Sequence, residues 1–425
     1  MSRLLLVLLL SVVLVAGAPA QERGVLPQDY YDMTFVGNVA VSPTGDMVAF
    51  VVTTVVEDKN TRHREIWLQQ LERGRPAGQP FRFTDPTVES SSPRWSPDGS
   101  LLVFSSRRGD DRNSVWFARM NVPGAPFHVP GVDATPVWSP DGEWIAFTRG
   151  PREEEEERGE RTPREGWIAP DAISNTLDAK RFDGRVITSM RYKRDGTLTL
   201  LPDPSIRDKS QLFIVPATGG EPRQLTDLPF NVRGAVWSPD GSTIFFSANP
   251  EEDNEYNQEN TGQLYAVSVD GGEPRVLTTN PGSESSPAIS PDGRSMVFSL
   301  SVNRETQTEL MVVGLNSDGT FNDEPRMLTG DWDLSPRGPS WSPDGETIRF
   351  TAGIGGNSHV FEIDADGGTV RQVTAGDRRV SSVSTSQDGR VMAYTVTDAV
   401  TPAEVFVSRH DGSNETRLTS FNDEW

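Results

Sequence analysis

The chain has 425 residues, of which 35% are hydrophobic and 24% are charged, and it contains 38 glycines and 32 prolines. This composition is typical of many short strands joined by turns and argues against a helical bundle. The formal net charge of −21 argues against nucleic-acid binding, because such a surface repels phosphates. The sequence contains no cysteine, which excludes disulfides, a thiol nucleophile and a thiolate metal site.

The first 20 residues have the pattern of a secretory signal peptide. Arg3 precedes an apolar run from Leu4 to Ala16, and the small residues Ala18-Pro19-Ala20 fit a cleavage site. The apolar run is shorter than the roughly 20 residues that a membrane-spanning helix needs, although an uncleaved anchor is the alternative. We therefore predict cleavage after Ala20 and a periplasmic or secreted protein with no membrane contact after cleavage.

A turn sequence, Ser-(Pro/Gln)-(Thr/Asp)-Gly, recurs along the chain with an aromatic residue five positions after each glycine. Proline presets φ for the first central position, aspartate suits the second, and glycine accepts the positive φ that ends the turn. Apolar residues alternate after each glycine, so each turn is predicted to join two antiparallel strands. The turns are centred on Gly45, Gly99, Gly142, Gly241, Gly293, Gly345 and Gly389, and the aromatic residues are Phe50, Phe104, Phe147, Phe246, Phe298, Phe350 and Tyr394.

An eighth, degenerate copy lies in the long interval between Gly142 and Gly241. Tyr192 stands at the position where other copies have tryptophan, Gly196 stands at the turn, and Leu201 stands at the aromatic position. The eight copies are then 43 to 54 residues apart. The alternative is that this copy belongs to one expanded unit, which leaves seven units.

Each unit also ends in a second signature, of which GGEPRQLT and GGEPRVLT are the clearest copies. The glycine pair predicts a hairpin turn, and the apolar-Thr end predicts a fourth strand. Segments such as QLFIVPA and QLYAVSV lie between the two signatures and predict the third strand. The signature ends at Thr84, Thr226, Thr278, Thr329, Thr374 and Thr419.

Four-stranded antiparallel units of this length, repeated radially, predict an all-β fold, a β-propeller with seven or eight blades. One unit cannot bury both faces of its sheet, so the recurring tryptophans and phenylalanines are predicted to fill the gaps between blades. We predict a signal peptide at 1–20, an N-terminal lead-in segment at 21–37 and a propeller domain at 38–425. The segment Asn38–Ser42 is predicted to close the ring against the last unit.

Two polar insertions interrupt the repeat. Residues 151–184 include five consecutive glutamates, Glu153–Glu157, which predict a solvated loop rather than a calcium or cationic-peptide site. Residues 249–260 form a second polar segment between strands. Insertions of this kind are expected to face partners or a channel mouth.

The sequence singles out no catalytic, cofactor-binding or metal-binding residue. It has no G-x-S-x-G nucleophile elbow, no glycine-rich phosphate loop and no H-E-x-x-H zinc motif. The recurring tryptophans, phenylalanines and turn residues indicate architecture, because a catalytic group is not needed eight times. A carboxylate pair is not excluded. The four histidines have no second histidine at ligand spacing and are predicted to be surface or strand residues: His63, His128, His359 and His410.

The combination of WSPDG with GGEPR and a following LT resembles the TolB-like propeller repeat. More narrowly, the chain is similar to the N-terminal propeller of the prolyl oligopeptidase family of serine peptidases, in its acylaminoacyl peptidase and dipeptidyl-peptidase branch. The segments that carry this likeness are LPQDYYDMTFVGNVAVSPTGDMVAFVVT, PRWSPDGSLLVFSSRRG, MRYKRDGTLTL and the final RLTSFNDEW. The resemblance covers about residues 26 to 425.

This resemblance implies a propeller whose central channel and side opening exclude large folded substrates and admit short peptides. In the family an α/β-hydrolase domain with a Ser, Asp and His follows the propeller, whereas this chain stops at Trp425, where that domain would begin. No catalytic residue of the family can therefore be assigned here, and we expect no acyl transfer by the chain itself. The expected partners are an α/β-hydrolase domain or a short peptide substrate, and no cofactor is implied.

Two alternatives remain open at the level of sequence. The chain could be a stand-alone TolB-like propeller that binds a periplasmic protein partner. It could also be a propeller enzyme, such as a glycan lyase or hydrolase, with its site in the central funnel.

Overall fold

Seven small units of antiparallel strands make up almost all of the described structure, a computed structural model, and the predicted all-β fold is confirmed. The structure describes residues 26–108, 114–122, 124–132, 134–150, 209–251, 261–279, 282–303 and 305–424. A single turn of helix, α1 (Asp29–Asp32), precedes the sheets, and a 3-10 turn (Glu57–Lys59) lies within the first. Within these ranges, no helix has the length and apolar character needed to cross a membrane.

Each unit takes consecutive strands of the chain and forms one blade, and the last two units are joined into one sheet by a single parallel bridge between Ser358 and Arg379. Blade 1 contains β1 (Phe35–Val41), β2 (Met47–Val56), β3 (Thr61–Glu72), β4 (Arg75–Pro76) and β5 (Phe81–Arg82); blade 2 contains β6 (Ser90–Trp95), β7 (Leu101–Ser106) and β8 (Ser114–Arg119); blade 3 contains β9 (Val137–Trp138), β10 (Trp144–Arg149), β11 (Gln211–Pro216) and β12 (Arg223–Gln224); blade 4 contains β13 (Val232–Trp237), β14 (Thr243–Ala248), β15 (Gln263–Ser268) and β16 (Arg275–Val276); blade 5 contains β17 (Ser283–Ile289), β18 (Ser295–Ser301), β19 (Glu309–Gly314) and β20 (Arg326–Met327); blade 6 contains β21 (Arg337–Trp341), β22 (Thr347–Ile354), β23 (Asn357–Asp364) and β24 (Arg371–Gln372); blade 7 contains β25 (Arg379–Thr385), β26 (Val391–Thr397), β27 (Glu404–Arg409) and β28 (Thr416–Arg417).

The strands of a blade run antiparallel from the centre of the disc to its rim. First strands of neighbouring blades contact one another, as β13 contacts β17 and β17 contacts β21, so the first strand of each blade is innermost. In blade 1 the outer position is taken by β5, which pairs with β3. In blade 2 it is taken by an isolated bridge between Phe117 and Phe127. The propeller architecture follows from this radial arrangement.

Blade 3 accommodates the long insertion between its second and third strands. β10 pairs directly with β11, with Phe147 opposite Phe213, although residues 151–208 separate the two strands in sequence. The Glu153–Glu157 loop and the degenerate eighth copy at Gly196 both fall within 151–208 and lie outside the described residues. The other seven copies each mark the turn between the first and second strands of one described blade.

The recurring turn is held by hydrogen bonds from its own side chains. In blade 2, Ser96 Oγ donates to Asp98 Oδ1 at 2.6 Å and accepts the backbone N–H of Leu101 at 2.9 Å. The N–H of Gly99 donates to the carbonyl of Ser96, and Gly99 has a φ of 71°. The hydrogen bond from the serine hydroxyl holds the pKa of Asp98 below its usual value. The same bonds recur in the other blades that have aspartate at this position, so the repeated sequence encodes one repeated turn.

Successive turns also pack against one another around the disc. The proline of one turn lies against the glycine of the next, as Pro43 does against Gly99 and Pro97 does against Gly142. The contact is tightest between blades 6 and 7, where a Cβ added to Gly389 would lie 2.7 Å from Pro343 Cγ. The glycine is therefore needed there for space as well as for its positive φ.

We expect Gly389→Ala to destabilise the protein more than Gly241→Ala. The two glycines share nearly the same φ, 71° and 72°, but a Cβ on Gly241 meets no atom within 4 Å. Gly241→Ala should cost about 1–2 kcal/mol from the left-handed backbone alone. Gly389→Ala should cost a further ~1–3 kcal/mol, because Pro343 must move. Thermal and urea unfolding of the two variants measure the difference, and equal losses would contradict the packing of turn on turn.

Aromatic residues fill the space within and between blades, as predicted. The seven aromatic residues that follow the turns are essentially buried, including Phe50, Phe246 and Tyr394. The tryptophan that ends a first strand reaches the preceding blade: Trp95 Nε1 donates to the carbonyl of Ala40 at 3.0 Å, and Trp341 Nε1 donates to that of Ala288 at 2.9 Å. These contacts fix the spacing of adjacent blades.

The ring closes between blade 1 and blade 7 without exchange of a strand. Blade 1 takes all its strands from the start of the described chain, and blade 7 takes all its strands from the end. Their facing sides share one apolar cluster, which includes Val36, Phe50, Ala393 and Val405. The seam lies at the segment predicted to close the ring, because the N–H of Val41 donates to Ser384 Oγ at 3.0 Å. Side-chain packing rather than a backbone ladder therefore joins the two ends.

A side-chain clasp holds the chain ends beside this seam. Asn422 Oδ1 accepts the backbone N–H of Thr34 at 3.1 Å, and Asn422 Nδ2 donates to the carbonyl of Thr34 at 2.9 Å. Asn422 is itself bound by the buried carboxylate of Glu404, which accepts its backbone N–H at 2.8 Å. β1 begins at Phe35, so the last residues of the predicted lead-in segment 21–37 already belong to blade 1.

Candidate functional site: the channel wall

The innermost strands carry a β-bulge at the same place in six of the seven blades that the structure describes. In blade 2 the register shifts between Ser91 and Arg94, so Ser92 and Pro93 have no partner on β7. The bulge bends the strand and leaves one residue in the left-handed region. These left-handed residues are Asn38, Ser92, Gly234, Ser286, Gly338 and Ser382, and all six are exposed.

The bulge explains a proline that the sequence repeats inside a strand. Pro93, Pro287 and Pro339 directly follow the left-handed residue and are buried. Proline has no N–H to donate to a ladder, so it fits within a strand only at an edge or a bulge. Its presence on the innermost edge also prevents another strand from pairing there. The channel edge of these blades is therefore poorly suited to binding a peptide through its backbone.

Exposed charge on the innermost strands is entirely basic. Arg94, Arg233, Arg337 and Arg379 are exposed, and they come from blades 2, 4, 6 and 7. The one acidic residue on an innermost strand, Glu284, is buried. Among the described residues, no carboxylate lies within ion-pair distance of Arg94, Arg337 or Arg379. A protein with an excess of acidic residues thus has a basic channel wall.

A buried threonine hydroxyl holds the third strand in six of the seven described blades. The threonine of the second signature accepts a backbone N–H from the third strand; Thr329 Oγ1 accepts that of Leu310 at 2.9 Å. The same hydroxyl donates to Glu309 Oε2 at 2.5 Å. The threonines that accept such an N–H are Thr84, Thr226, Thr278, Thr329, Thr374 and Thr419. The signature predicted as a strand is thus also a buried hydrogen-bond anchor.

Glu284 departs from this pattern of satisfied polar groups. Its residue is 1% exposed, and neither carboxylate oxygen makes a hydrogen bond with any described residue. Burial raises the pKa of Glu284 to about 7, and the nearby Thr278 hydroxyl and its own N–H offset only part of that rise. Its backbone N–H donates to the carbonyl of Gly262, so the side chain lies between blades 4 and 5. No sequence signal marked this residue.

The four histidines do not form a site. His128 stacks on Trp116 with ring centroids 3.8 Å apart, and His63 lies 3.4 Å from a Glu65 oxygen. His359 is buried beside Thr374, and burial lowers its pKa. Across the described residues, no group of three or more histidine, cysteine or acidic residues is arranged to hold a metal ion.

A groove on the turn face between blades 5 and 6 has the opposite charge to the channel wall. It encloses about 820 Å³ and is lined by acidic side chains that include Asp292, Asp323 and Asp344, together with Arg326. The acidic turns and rim account for part of the net negative charge. The basic residues of the innermost strands are therefore a local feature and not a sample of the whole surface.

Comparison with known proteins places this fold in a family. A family model described as the TolB beta propeller domain matches residues 257–424, and one described as the dipeptidyl peptidase IV N-terminal region matches residues 161–307. The chain is 24% identical over 382 residues to dipeptidyl-peptidase 5 of Porphyromonas gingivalis, across 85% of this chain and 51% of that protein. These matches support a likeness to the N-terminal β-propeller of the prolyl oligopeptidase family.

Solved structures agree with this propeller's fold. An acylaminoacyl peptidase in complex with Z-Gly-Gly-Phe-chloromethyl ketone matches 93% of the propeller and 54% of its own chain, with a TM-score of 0.64 and 17% identity. The β-propeller domain of the Trilobed protease from Pyrococcus furiosus matches 92% of the propeller and 99% of its own chain, with a TM-score of 0.59 and 13% identity. The propeller thus spans about half the length of the peptidases that it resembles.

Proposed function

We propose that this propeller binds and gates short peptides for the α/β-hydrolase domain of an exported serine peptidase. The alignment with dipeptidyl-peptidase 5 carries the proposal, because it covers 85% of this chain but only half of the relative. The resemblance implies that the remaining half of such a peptidase holds the hydrolase domain. A ring of blades around a narrow channel suits a filter, since it admits an extended chain and excludes a folded one.

Closure of the ring by packing supports this gating role. The seam between blades 1 and 7 has no backbone ladder, so it can separate without unfolding a sheet. The innermost strands offer exposed arginine side chains and small polar residues, which suit contact with a peptide.

The test is reconstitution of the propeller with the hydrolase domain encoded in the same reading frame or next to it. We expect the reconstituted enzyme to cleave short peptides and to reject folded proteins, whose exposed ends the hydrolase domain alone should also cleave. A hydrolase domain whose preference for short peptides over folded proteins does not change with the propeller would contradict the gating role. If the purified propeller hydrolyses peptides and a serine-directed inhibitor blocks that hydrolysis, the propeller is itself catalytic. This result would contradict the proposal that the propeller only binds and gates.

We further propose that the chain is exported and cleaved after Ala20. Residues 1–20 lie outside the described structure, so this proposal depends on the apolar run and the small residues before the cut. Amino-terminal sequencing of the protein recovered from the periplasm or medium should begin at Gln21. Intact protein that retains Met1 and sediments with membranes would support the uncleaved anchor instead.

A further inference from the structure

The exposed arginines of the innermost strands are distributed along the depth of the channel. Arg337 is the first residue of β21, and Arg94 is the next-to-last residue of β6. Arg379 is the first residue of β25, where the backbone pairs with Ser358 on the third strand of blade 6. Arg94 lies one residue before the end of its strand, and Arg379 lies six residues before the end of its strand. The two positions therefore differ by five residues, or about 16 Å of strand. The exposed positive charge is therefore distributed along the length of the first strands instead of marking one point.

These charges are available to a ligand. Arg94, Arg337 and Arg379 have no ion-pair partner among the described residues, and their side chains are exposed. The bulges and buried prolines beside them block strand addition, so a peptide in the channel is contacted mainly through side chains. A guanidinium binds a carboxylate through paired hydrogen bonds, and low-dielectric walls strengthen that attraction.

We propose that the channel wall selects peptides that carry carboxylates, and that Arg94, Arg337 and Arg379 provide this selectivity. The inference rests on the peptide-gating role proposed above and adds the class of peptide. The carboxylate can come from aspartate or glutamate side chains or from the free carboxyl terminus. The acidic outer surface makes the selectivity local, because it repels the same peptides everywhere except at the channel.

Isothermal titration of the whole propeller with four hexapeptides tests the proposal. The first has two glutamates and blocked termini, the second replaces them with glutamine, the third is the glutamine peptide with a free carboxyl terminus, and the fourth has two lysines. We expect the glutamate peptide to bind at least about tenfold more tightly than its glutamine counterpart at low salt, with the lysine peptide weakest. Raising the ionic strength to about 0.5 M should remove most of the difference.

Substitution of the arginines locates the selectivity. R94Q/R337Q/R379Q should weaken binding of the glutamate peptide about tenfold and leave the glutamine peptide unchanged. The matched control R64Q/R73Q/R75Q removes three exposed arginines from the outer part of blade 1, so both variants reach the same net charge, −21 − 3 = −24. The control should change the affinity less than twofold. R94K/R337K/R379K keeps the charge and should retain the preference for the glutamate peptide, which separates lost charge from lost folding.

The outcomes distinguish this inference from the proposed function. Equal binding of the glutamate and glutamine peptides, or an equal effect of the control variant, would overturn the charge selectivity while leaving peptide gating intact. Failure of all four peptides to bind would overturn both. The third peptide identifies the source of the carboxylate: tight binding assigns recognition to the carboxyl terminus, and weak binding assigns it to acidic side chains.

Discussion

Glu284→Gln is expected to stabilise the propeller by about 3 kcal/mol at pH 8 and by less than about 1 kcal/mol at pH 5. Burial between blades 4 and 5 raises the pKa of Glu284 from 4.5 to about 7, and neither oxygen has a hydrogen-bond partner among the described residues. A difference of about 2.5 pKa units corresponds to about 3 kcal/mol between the protonated and charged forms. Glutamine keeps the size of the side chain and cannot ionise.

The sign of the pH dependence follows from proton binding. Between about pH 4.5 and 7 the folded protein holds a proton on Glu284 that the unfolded chain has released, so rising pH favours unfolding. Wild-type stability should therefore fall through this interval relative to Glu284→Gln and level off above pH 7. Below about pH 4.5 both states are protonated and the difference should vanish.

Urea unfolding at pH 5, 6, 7 and 8 measures this prediction, with Glu309→Gln as the control. Glu309 is also a buried glutamate of blade 5, but its carboxylate accepts hydrogen bonds from Thr329 and Gln307. Its replacement should destabilise the protein at pH 8, the opposite sign to Glu284→Gln. If the difference in free energy of unfolding between Glu284→Gln and wild type is the same at all four pH values, the carboxylate is not buried as described.

Glu404→Ala is expected to destabilise the protein by about 3–5 kcal/mol and to loosen the seam of the ring. The residue is 1% exposed, and its carboxylate accepts hydrogen bonds from the Thr419 hydroxyl and from the backbone and side chain of Asn422. It also forms an ion pair with Arg417 at 3.2 Å. Removal leaves these donors unsatisfied, which is the costly way to break a buried charged network.

The matched comparison is Glu309→Ala, at the equivalent position in blade 5. Glu309 also begins a third strand and accepts a threonine hydroxyl, but it does not contact the chain ends. Both variants should lose stability, whereas only Glu404→Ala should release Asn422 from Thr34 and speed amide exchange in β1. Hydrogen exchange read by mass spectrometry distinguishes them. Equal exchange in β1 for the two variants would show that the clasp does not hold the seam.

The repeat made most of the fold predictable from sequence. The Ser-Pro-Asp-Gly turn encodes its own hydrogen bonds, so the position of each first hairpin could be read from local sequence, and the following aromatic residue marks the core. The arrangement of repeats into blades was harder. The degenerate copy at Gly196 lies within residues 151–208, outside the described residues, in the stretch of sequence that connects the paired strands β10 and β11.

The candidate site was less predictable because it depends on long-range geometry. Pro93 and its equivalents were visible in the repeat, and proline inside a strand is a signal for a bulge that sequence analysis could have used. The basic character of the first strands appears only when the fold places Arg94 and Arg379, far apart in sequence, on the first strands of blades 2 and 7. Glu284 carries no sequence signal at all, since its burial comes from the packing of blade 4 on blade 5.

The central claim is that the first and last described blades meet directly and close the ring by side-chain packing and hydrogen bonds, without sharing a strand. A disulfide between Gly37→Cys and Ser382→Cys tests it most directly, because the chain has no other cysteine. A Cβ on Gly37 would lie 4.0 Å from Ser382 Oγ, a separation that a disulfide can bridge after a small adjustment. The matched pair Gly37→Cys with Ser286→Cys places the second thiol at the same bulge position in blade 5.

After mild oxidation of the monomer, mass spectrometry and thiol titration report which pairs have joined. We expect the Gly37–Ser382 pair to lose both thiols within one chain and to migrate faster on a non-reducing gel, while the Gly37–Ser286 pair keeps both thiols. Free thiols in the first pair, or equal cross-linking of the two pairs, would contradict a ring closed between blade 1 and blade 7.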